Sequence, residues 1–463
     1  MSVRGLADER AVRETAAVIA GLLLATLAGT LVARYSAVWV TVFIAPLLLL
    51  FVVARPLGGL ILVMAFLYFP LLPSIALGPW EGSVTAFPLA ALGIHTLMQT
   101  KRPASGPLLA GWQWALLVGL GLAFLLSTGA SVSYSQSVRL LPNLVLYLLI
   151  LFATMTLINT PQKLVTIAKA ELVLAAVLSI WRVELRPLRV IFGLPSLGIN
   201  GAVFGFHPAI ALSLIILLMP GSLFSRRWRW FAGLTLFSLV THGLQYQTRA
   251  GWLAWMVVAL VLFARLRGRR WLSFSVLFIA SGAVLSVLYA DIVAENWANT
   301  RFAIQAFVEQ RPEETKQSGD DLRVQRFEAG WDMFLERPVL GWGPNQYHSQ
   351  ILLRKVPGDR SKGAGAFNSW LIYLVDFGVV GTALAMAAFV LPLFVTWRAL
   401  GAQRSNEAVF LAFGFALGAL ALTVHLFFID LPYSFAWFHA GLALAAARIG
   451  VNSLRQEPEP EVG

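Results

Sequence analysis

The chain has no cysteine among its 463 residues. Disulfide bonds, catalytic thiolates and cysteine-ligated metal sites are therefore excluded. Charged residues are also scarce, at 13% of the chain, whereas soluble domains carry about 25%. Because 58% of the residues are hydrophobic and apolar blocks of about 20 residues recur along most of the sequence, we predict a polytopic membrane protein.

Long polar linkers that would define a second soluble domain are absent. We therefore predict an all-α polytopic fold of about 12–14 transmembrane helices with one large, partly helical loop on the outer face. The N-terminal helices occupy 1–290, the loop 291–366, the C-terminal helices 367–449, and a disordered cytoplasmic tail 450–463. No small-residue cleavage site follows the first residues, so the first apolar block is interpreted as a retained span rather than a signal peptide.

Fourteen apolar blocks are candidate spans. They are Ala16–Ala33, Trp39–Ala54, Leu57–Leu77, Val84–Gln99, Trp112–Ser127, Leu141–Leu157, Leu164–Trp181, Pro208–Phe224, Trp230–Leu244, Gly251–Ala264, Leu272–Ala290, Ile372–Trp397, Ala408–Phe428 and Leu431–Ala447. Pro70 and Pro73 predict a bend or a break in the third block. Several blocks are short, so some could be re-entrant or merged.

The formal net charge of +12 would suggest nucleic acid as the partner of a soluble protein. Here the cations cluster in short loops between spans. The clusters are Lys101 with Arg102, Arg226 with Arg227 and Arg229, the run from Arg265 to Arg270, and Arg398 with Arg404. All fall on the side of the N-terminus, which the positive-inside rule makes the cytoplasm. The charge therefore predicts membrane lipids rather than nucleic acid as partners, and it places the large loop outside.

Four arginines lie on the outer side, against this bias. Arg182, Arg186 and Arg189 fall in one outer connection, and Arg249 lies at the outer end of a span. Snorkelling to lipid headgroups is one interpretation. The other is a functional site, which the small and aromatic neighbours of Arg249 favour. Because a guanidinium group donates two parallel hydrogen bonds, such arginines could hold a pyrophosphate leaving group.

The large loop contains one histidine, His348, which follows a turn-forming stretch. It could deprotonate an acceptor hydroxyl, or it could be a surface histidine without a role. Trp331, Trp342 and Trp370 could stack on sugar rings or serve as interfacial aromatics. Asp320 with Asp321 is an isolated pair and the histidines are scattered, so we predict neither a metal site nor a cofactor.

Four short stretches, taken in order, resemble the C-terminal signature of the O-antigen ligase and O-antigen polymerase superfamily, and a fifth resembles a separate arginine-containing element of the same family. They are Arg323 with Phe327, the turn Pro338-Val-Leu-Gly-Trp-Gly343, Asn368-Ser-Trp-Leu371, Gly378-Val-Val-Gly381, and Gln247-Thr-Arg249. Members of this superfamily are polytopic, carry one large periplasmic loop, and act on glycans linked to polyprenyl pyrophosphate. The resemblance covers the layout of nearly the whole chain and motif identity over about sixty residues.

The resemblance implies a metal-independent, inverting glycosyltransferase in the bacterial inner membrane, with its site facing the periplasm. Its donor would be a polyprenyl-pyrophosphate-linked glycan. The acceptor would be lipid A core for a ligase, a lipid-linked repeat for a polymerase, or a protein hydroxyl for an oligosaccharyltransferase. Arg249 would act on the pyrophosphate with Arg186 or Arg189. Further substrate contacts would come from Arg323, Trp342, Tyr347 and Asn368.

One position departs from the family pattern. The family has a His-Asn pair where this chain has Phe367-Asn368, and that histidine is the one proposed to activate the acceptor. His348 could replace it, another residue such as Asp376 or Glu328 could, or arginines and a good leaving group could suffice; we favour His348. A lipid-linked glycan transporter and a structural scaffold are the rival classes, although no internal repeat is evident.

Overall fold

The structure is a computed structural model. It describes residues 51–52, 54–68, 74–77, 80–83, 92, 109–182, 199–219, 221, 223–245, 249–268, 270–276, 278–279, 319–354, 368–402, 406–428 and 433–456. Four predicted spans fall wholly or mostly outside these ranges: Ala16–Ala33, Trp39–Ala54, Val84–Gln99 and Leu272–Ala290. The predicted total of 12–14 spans therefore stays a prediction.

Twelve helices and one short hairpin are described. The helices are α1 (Pro56–Tyr68), α2 (Gly111–Gly129), α3 (Tyr134–Leu157), α4 (Pro161–Arg182), α5 (Ile199–Leu218), α6 (Arg226–Gln245), α7 (Arg249–Arg265), α8 (Gly319–Glu336), α9 (Gln346–Leu353), α10 (Ser369–Ala402), α11 (Glu407–His425) and α12 (Tyr433–Gln456). The hairpin pairs β1 (Ser74–Leu77) with β2 (Trp80–Ser83) in antiparallel register. The predicted all-helical membrane fold is confirmed, with this hairpin as a small addition.

Five of the described helices are long and apolar enough to cross a bilayer: α2, α3, α10, α11 and α12. Three shorter apolar helical stretches occur in α1, α5 and α7. Since no water is available within a bilayer, helices are the form in which such segments satisfy their own backbone groups. Composition and structure together make the chain a multi-pass membrane protein.

Helices α11 and α12 form the centre of the bundle. Their apolar windows are 89% buried, compared with 39% for α10, 44% for α2 and 50% for α3. Helix α12 packs against α3, α10 and α11, and α11 packs also against α5 and α7. The side chains of α2 that remain exposed are large and apolar, as expected for a surface that faces lipid.

Polar groups fix the ends and crossings of these helices. Asn406 caps α11, because its Oδ1 accepts the backbone N–H groups of Ala408 and Val409 at 3.0 and 3.2 Å. Within the bundle, the Gln113 side-chain amide donates to the carbonyl of Leu444 at 3.0 Å. Each such bond satisfies a buried polar group that would otherwise be costly in an apolar interior.

Two of the predicted boundaries that differ from the structure lie beside prolines, and the break predicted at Pro70 and Pro73 is confirmed. The predicted span Leu57–Leu77 ends as a helix at Tyr68, and its last four residues form β1. Two prolines in the sequence between them cannot donate the backbone hydrogen bonds that a continuing helix needs. The predicted span Pro208–Phe224 is instead α5, which begins nine residues earlier and ends at Leu218. Pro220 follows shortly afterwards in the sequence, where it disfavours helix in the residue before it.

Candidate functional site

Helix α10 is broken by a kink at Gly378. This residue has φ 63° and ψ −170°, a conformation that is essentially restricted to glycine. The kink interrupts the i to i−4 hydrogen-bond ladder inside the helix. Backbone carbonyls before it and N–H groups after it therefore need other partners.

The turn formed by residues 338–345, here called the docking turn, supplies these partners. Four backbone hydrogen bonds join the two segments: Trp342 N to Val375 O at 2.8 Å, Gly343 N to Asp376 O at 3.0 Å, Val379 N to Pro338 O at 2.8 Å, and Val380 N to Val339 O at 3.4 Å. The docking turn and the residues on both sides of the kink, 33 to 41 positions apart in the sequence, thus satisfy each other through their backbones. The close approach leaves no room for a side chain at Gly378, where a Cβ would lie 2.2 Å from the carbonyl oxygen of Val339.

The carboxylate of Asp376 anchors the beginning of α9. Its Oδ2 accepts the backbone N–H of Asn345 and its Oδ1 accepts that of Tyr347, both at 2.8 Å. Asn345 has φ 64°, a left-handed conformation that turns the chain into the helix. An anion is favourable here because the first N–H groups of a helix lack partners within it. Asp376 is 4% exposed, so these bonds also compensate for its burial.

Residues at the α2–α3 junction contact the other side of the docking turn. The hydroxyl of Ser137 donates to the carbonyl of Pro344 at 2.9 Å, and the backbone N–H of Val132 donates to the carbonyl of Trp342 at 3.1 Å. A Cβ on Gly343 would lie 2.2 Å from the Oγ of Ser131. The docking turn is therefore held between α10 and the connection that precedes α3.

A small apolar core lies beneath the turn and joins α8, α9 and α10. Its buried members are Met333, Tyr347, Ile351, Leu371, Ile372 and Val375. The Tyr347 ring is fully buried, and its hydroxyl donates to the carbonyl of Arg326 at 3.4 Å. Tyr347 therefore lies buried beneath the docking turn, and its expected contact with substrate stays a prediction.

Cations and one aromatic ring form the outer edge of the same junction. The Arg337 and Arg354 guanidinium groups lie 5.2 and 5.6 Å from the centre of the Trp342 ring. Trp342 is fixed by its Nε1–H, which donates to the carbonyl of Met333 at 2.6 Å. Arg354 also forms a salt bridge with Glu336 at 2.7 Å. This edge offers guanidinium hydrogen-bond donors, which suit an anionic ligand.

The structure brings three of the predicted site residues together. Trp342 lies in the docking turn, and Tyr347 and His348 follow it in α9 with their rings 5.6 Å apart. His348 is partly buried. Arg323 is exposed on α8, one turn before the buried Arg326. Asn368 caps α10, because its Oδ1 accepts the backbone N–H of Leu371 at 3.0 Å.

The remaining predicted residues cannot be located as side chains. Arg249 is the first residue of α7, and its side chain lies outside the described part of the structure, as do Arg186, Arg189 and Phe367 entirely. Their assigned roles stay predictions. Within the described ranges, no group of three histidine, aspartate or glutamate side chains could hold a metal ion.

Three features of the site were not foreseen as such. The sequence analysis considered Asp376 as a possible base, whereas both of its carboxylate oxygens accept backbone N–H groups. Arg337 and Arg354 were not singled out, although both are cations in the loop next to residues of interest. The sequence marked only Arg337, and only by its position immediately before the proline of the docking turn.

One family comparison bears on this site. Residues 234–386 match the protein-family model described as O-antigen ligase. The matched segment runs from α6 through the kink of α10, and so contains Arg249, the docking turn and Gly378. It confirms the superfamily that the sequence motifs indicated, over about one third of the chain. A search of curated proteins found no match to the chain.

Proposed function

We propose, from the premise that residues 234–386 carry an O-antigen ligase domain, that the protein transfers a glycan from polyprenyl pyrophosphate to an acceptor hydroxyl. The domain supports a membrane glycosyltransferase of the ligase and polymerase family. The observation that carries the proposal is the junction itself, since two motifs of the family signature interlock there inside the matched segment. Lipid A core is the acceptor we favour, and the reaction would take place at the periplasmic face of the inner membrane.

The proposed reaction is a single displacement at the anomeric carbon. The acceptor oxygen forms a bond to that carbon as the bond from carbon to the pyrophosphate oxygen breaks, so the configuration inverts. The hydroxyl proton passes to a base, and polyprenyl pyrophosphate leaves with the electron pair of the broken bond. Arg249, with Arg189 or Arg186, would neutralise the negative charge that develops on the leaving group. These roles come from the family resemblance and need no metal ion.

The base is proposed to be His348. His348 lies in α9, the helix that begins at the anchored docking turn, and from there it would take the proton of the acceptor hydroxyl. Asp376 is a weaker candidate because both of its oxygens already accept backbone N–H groups. Glu328 is exposed on α8 and remains the other carboxylate considered.

The test uses full-length protein in proteoliposomes with a lipid-linked glycan and three acceptors: lipid A core, a second lipid-linked repeat, and a hydroxyl-bearing peptide. Released polyprenyl pyrophosphate and product are both measured. Arg249→Ala and His348→Ala should each lower turnover about 100-fold or more. As a control, Arg227→Ala changes an exposed cation at the beginning of α6 and should keep full turnover.

The outcomes separate the alternatives. Movement of the lipid-linked glycan across the membrane without release of polyprenyl pyrophosphate would indicate a transporter and overturn the proposal. Transfer only to the second repeat would indicate a polymerase, and transfer only to the peptide an oligosaccharyltransferase. If His348 replaces the family histidine, Phe367→His should restore turnover to His348→Ala protein. Full turnover of His348→Ala alone would exclude His348 as the base.

A further inference from the structure

A cavity of about 270 Å³ lies away from the docking turn, where α7 ends against α10 and α11. Its lining combines three arginines with four apolar side chains: Arg265, Arg267, Arg270, Leu266, Leu400, Phe410 and Phe413. Among the residues that the structure describes, the lining includes no carboxylate. Three guanidinium groups around one small cavity give it a positive potential that favours an anion.

Contacts with neighbouring helices hold two of these guanidinium groups in place. Arg265 donates from Nη2 to the carbonyl of Trp397 at 3.1 Å and lies 5.2 Å from the centre of its ring. Arg270 lies 5.1 Å from the centre of the Phe410 ring. Both side chains are partly buried, while Arg267 is exposed. Cations fixed in this way lose little conformational freedom when they bind an anion.

The ligand chemistry follows from the lining. Guanidinium groups pair with phosphate oxygens through parallel, charge-assisted hydrogen bonds. The apolar half of the lining suits a group that carries carbon as well as phosphate. Shortly after Arg270, the large apolar side chains of Trp271, Leu272 and Val276 are 44%, 58% and 58% exposed, as expected for residues that face lipid tails.

We infer that this cavity binds a phosphate group, carried by the headgroup of an anionic membrane lipid or free in solution. The volume fits a headgroup rather than a whole lipid, whose acyl chains would lie outside along the exposed apolar residues. The site is distinct from the transfer reaction, because none of its lining residues belongs to the docking turn, α8 or α9. The plain alternative is that the arginines only complement the negative C-terminal end of α7.

The experiment titrates the full-length protein in mild detergent at constant ionic strength. The ligands are short-chain phosphatidylglycerol, short-chain phosphatidylcholine and inorganic phosphate, and thermal unfolding reports binding. Phosphatidylglycerol should raise the unfolding midpoint, and phosphatidylcholine should do so much less because its choline cation opposes the arginines. Inorganic phosphate alone giving the full shift would identify free phosphate as the source.

Two variants tie the response to the cavity. Arg270→Gln should weaken the apparent affinity for phosphatidylglycerol roughly tenfold, since one charge-assisted bond is removed. Arg270→Lys keeps the charge without the planar guanidinium group and should lose less affinity for phosphatidylglycerol. This second variant keeps the test valid if Arg270→Gln fails to fold. Arg227→Gln changes an exposed arginine outside the cavity and should bind as the unchanged protein does. Equal losses in Arg227→Gln and Arg270→Gln, or no shift with any ligand, would overturn the inference.

Discussion

Asp376 and Glu171 are both buried carboxyl groups on helices of the bundle, yet their surroundings differ in kind. Each oxygen of Asp376 accepts a backbone N–H at the beginning of α9. At Glu171, on α4, one oxygen contacts two side chains, the hydroxyl of Tyr68 from α1 and the Nε2 of His439 from α12 at 3.0 Å. The other oxygen has no hydrogen-bond partner among the residues that the structure describes.

The hydrogen bonds also assign the proton in the Glu171 cluster. His439 Nδ1 lies 2.9 Å from the carbonyl oxygen of Phe435, which can only accept, so Nδ1 carries a proton. A single proton then joins Nε2 to the Glu171 oxygen, and the pair is neutral overall wherever that proton resides. Side chains of α1, α4 and α12 therefore meet at the carboxyl group of Glu171, which the amide of a glutamine side chain could replace.

The two regions differ in whether the hydrogen-bond partners of the carboxyl group can exchange the roles of donor and acceptor. At the docking turn the partners are backbone N–H groups, whose donor character no tautomer and no substitution other than proline can change. At Glu171 the partners are a hydroxyl and an imidazole, and each can either donate or accept. The stability of the docking turn should therefore depend on the carboxylate of Asp376, whereas the Glu171 cluster should tolerate an amide of the same shape in place of its carboxyl group.

The largest effect is expected from Gly378→Ala. The alanine would adopt a strained backbone conformation, and its Cβ would lie 2.2 Å from the carbonyl oxygen of Val339. Because the docking turn must then move away, we expect a loss of at least about 3 kcal/mol in the free energy of unfolding. SDS titration of the purified protein, followed by circular dichroism, would measure it.

The matched control for this substitution is Gly129→Ala. A Cβ at Gly129, at the end of α2, would have no atom within 4 Å. Alanine in a helix is favoured over glycine, so this variant should be neutral or slightly more stable. Equal stability of the two alanine variants would mean that the docking turn and the kink are not joined as described.

Asp376→Asn should have the next largest effect. The amide offers one oxygen where two N–H donors need acceptors, so either Asn345 or Tyr347 loses its bond and faces an NH2 group. One unsatisfied buried N–H, and a weaker bond for the other, should cost about 2–3 kcal/mol. The same SDS titration applies, and turnover should fall with stability because α9 carries His348. An unchanged unfolding curve would contradict the anchoring role of Asp376.

The sequence predicted the helices better than it predicted the site. The expected spans Trp112–Ser127 and Leu164–Trp181 agree with α2 and α4 to within a few residues. Apolar length alone decides such segments, because a helix is the form that a bilayer tolerates. Two boundary differences came where a helix ended beside a proline, whereas α12 continues to Gln456, nine residues beyond the predicted end.

The docking of the turn on the kink could not be read from the sequence. Its hydrogen bonds join backbone atoms, and backbone partners leave no side-chain pattern to detect. The glycines did mark the two segments, since Gly343 and Gly378 both belong to motifs quoted for the family resemblance. Nothing in the spacing indicated that the carboxylate of Asp376 would serve α9 rather than a proton transfer.

The smallest effect is expected from Glu171→Gln, the same carboxyl-to-amide change made at Asp376. The glutamine NH2 can donate to His439 Nε2 and to the Tyr68 oxygen, while its carbonyl takes the place of the oxygen that had no partner. Only the Tyr68 O–H loses the acceptor that it had, and a hydroxyl can rotate whereas a backbone N–H cannot. The free energy of unfolding should therefore fall by about 1–2 kcal/mol, less than for Asp376→Asn. Glu171→Gln is measured beside Asp376→Asn under identical conditions. If both variants lose the same free energy of unfolding, the Glu171 cluster needs its shared proton. Both regions would then depend equally on the carboxyl group, and the distinction between backbone and side-chain partners would not explain their stability.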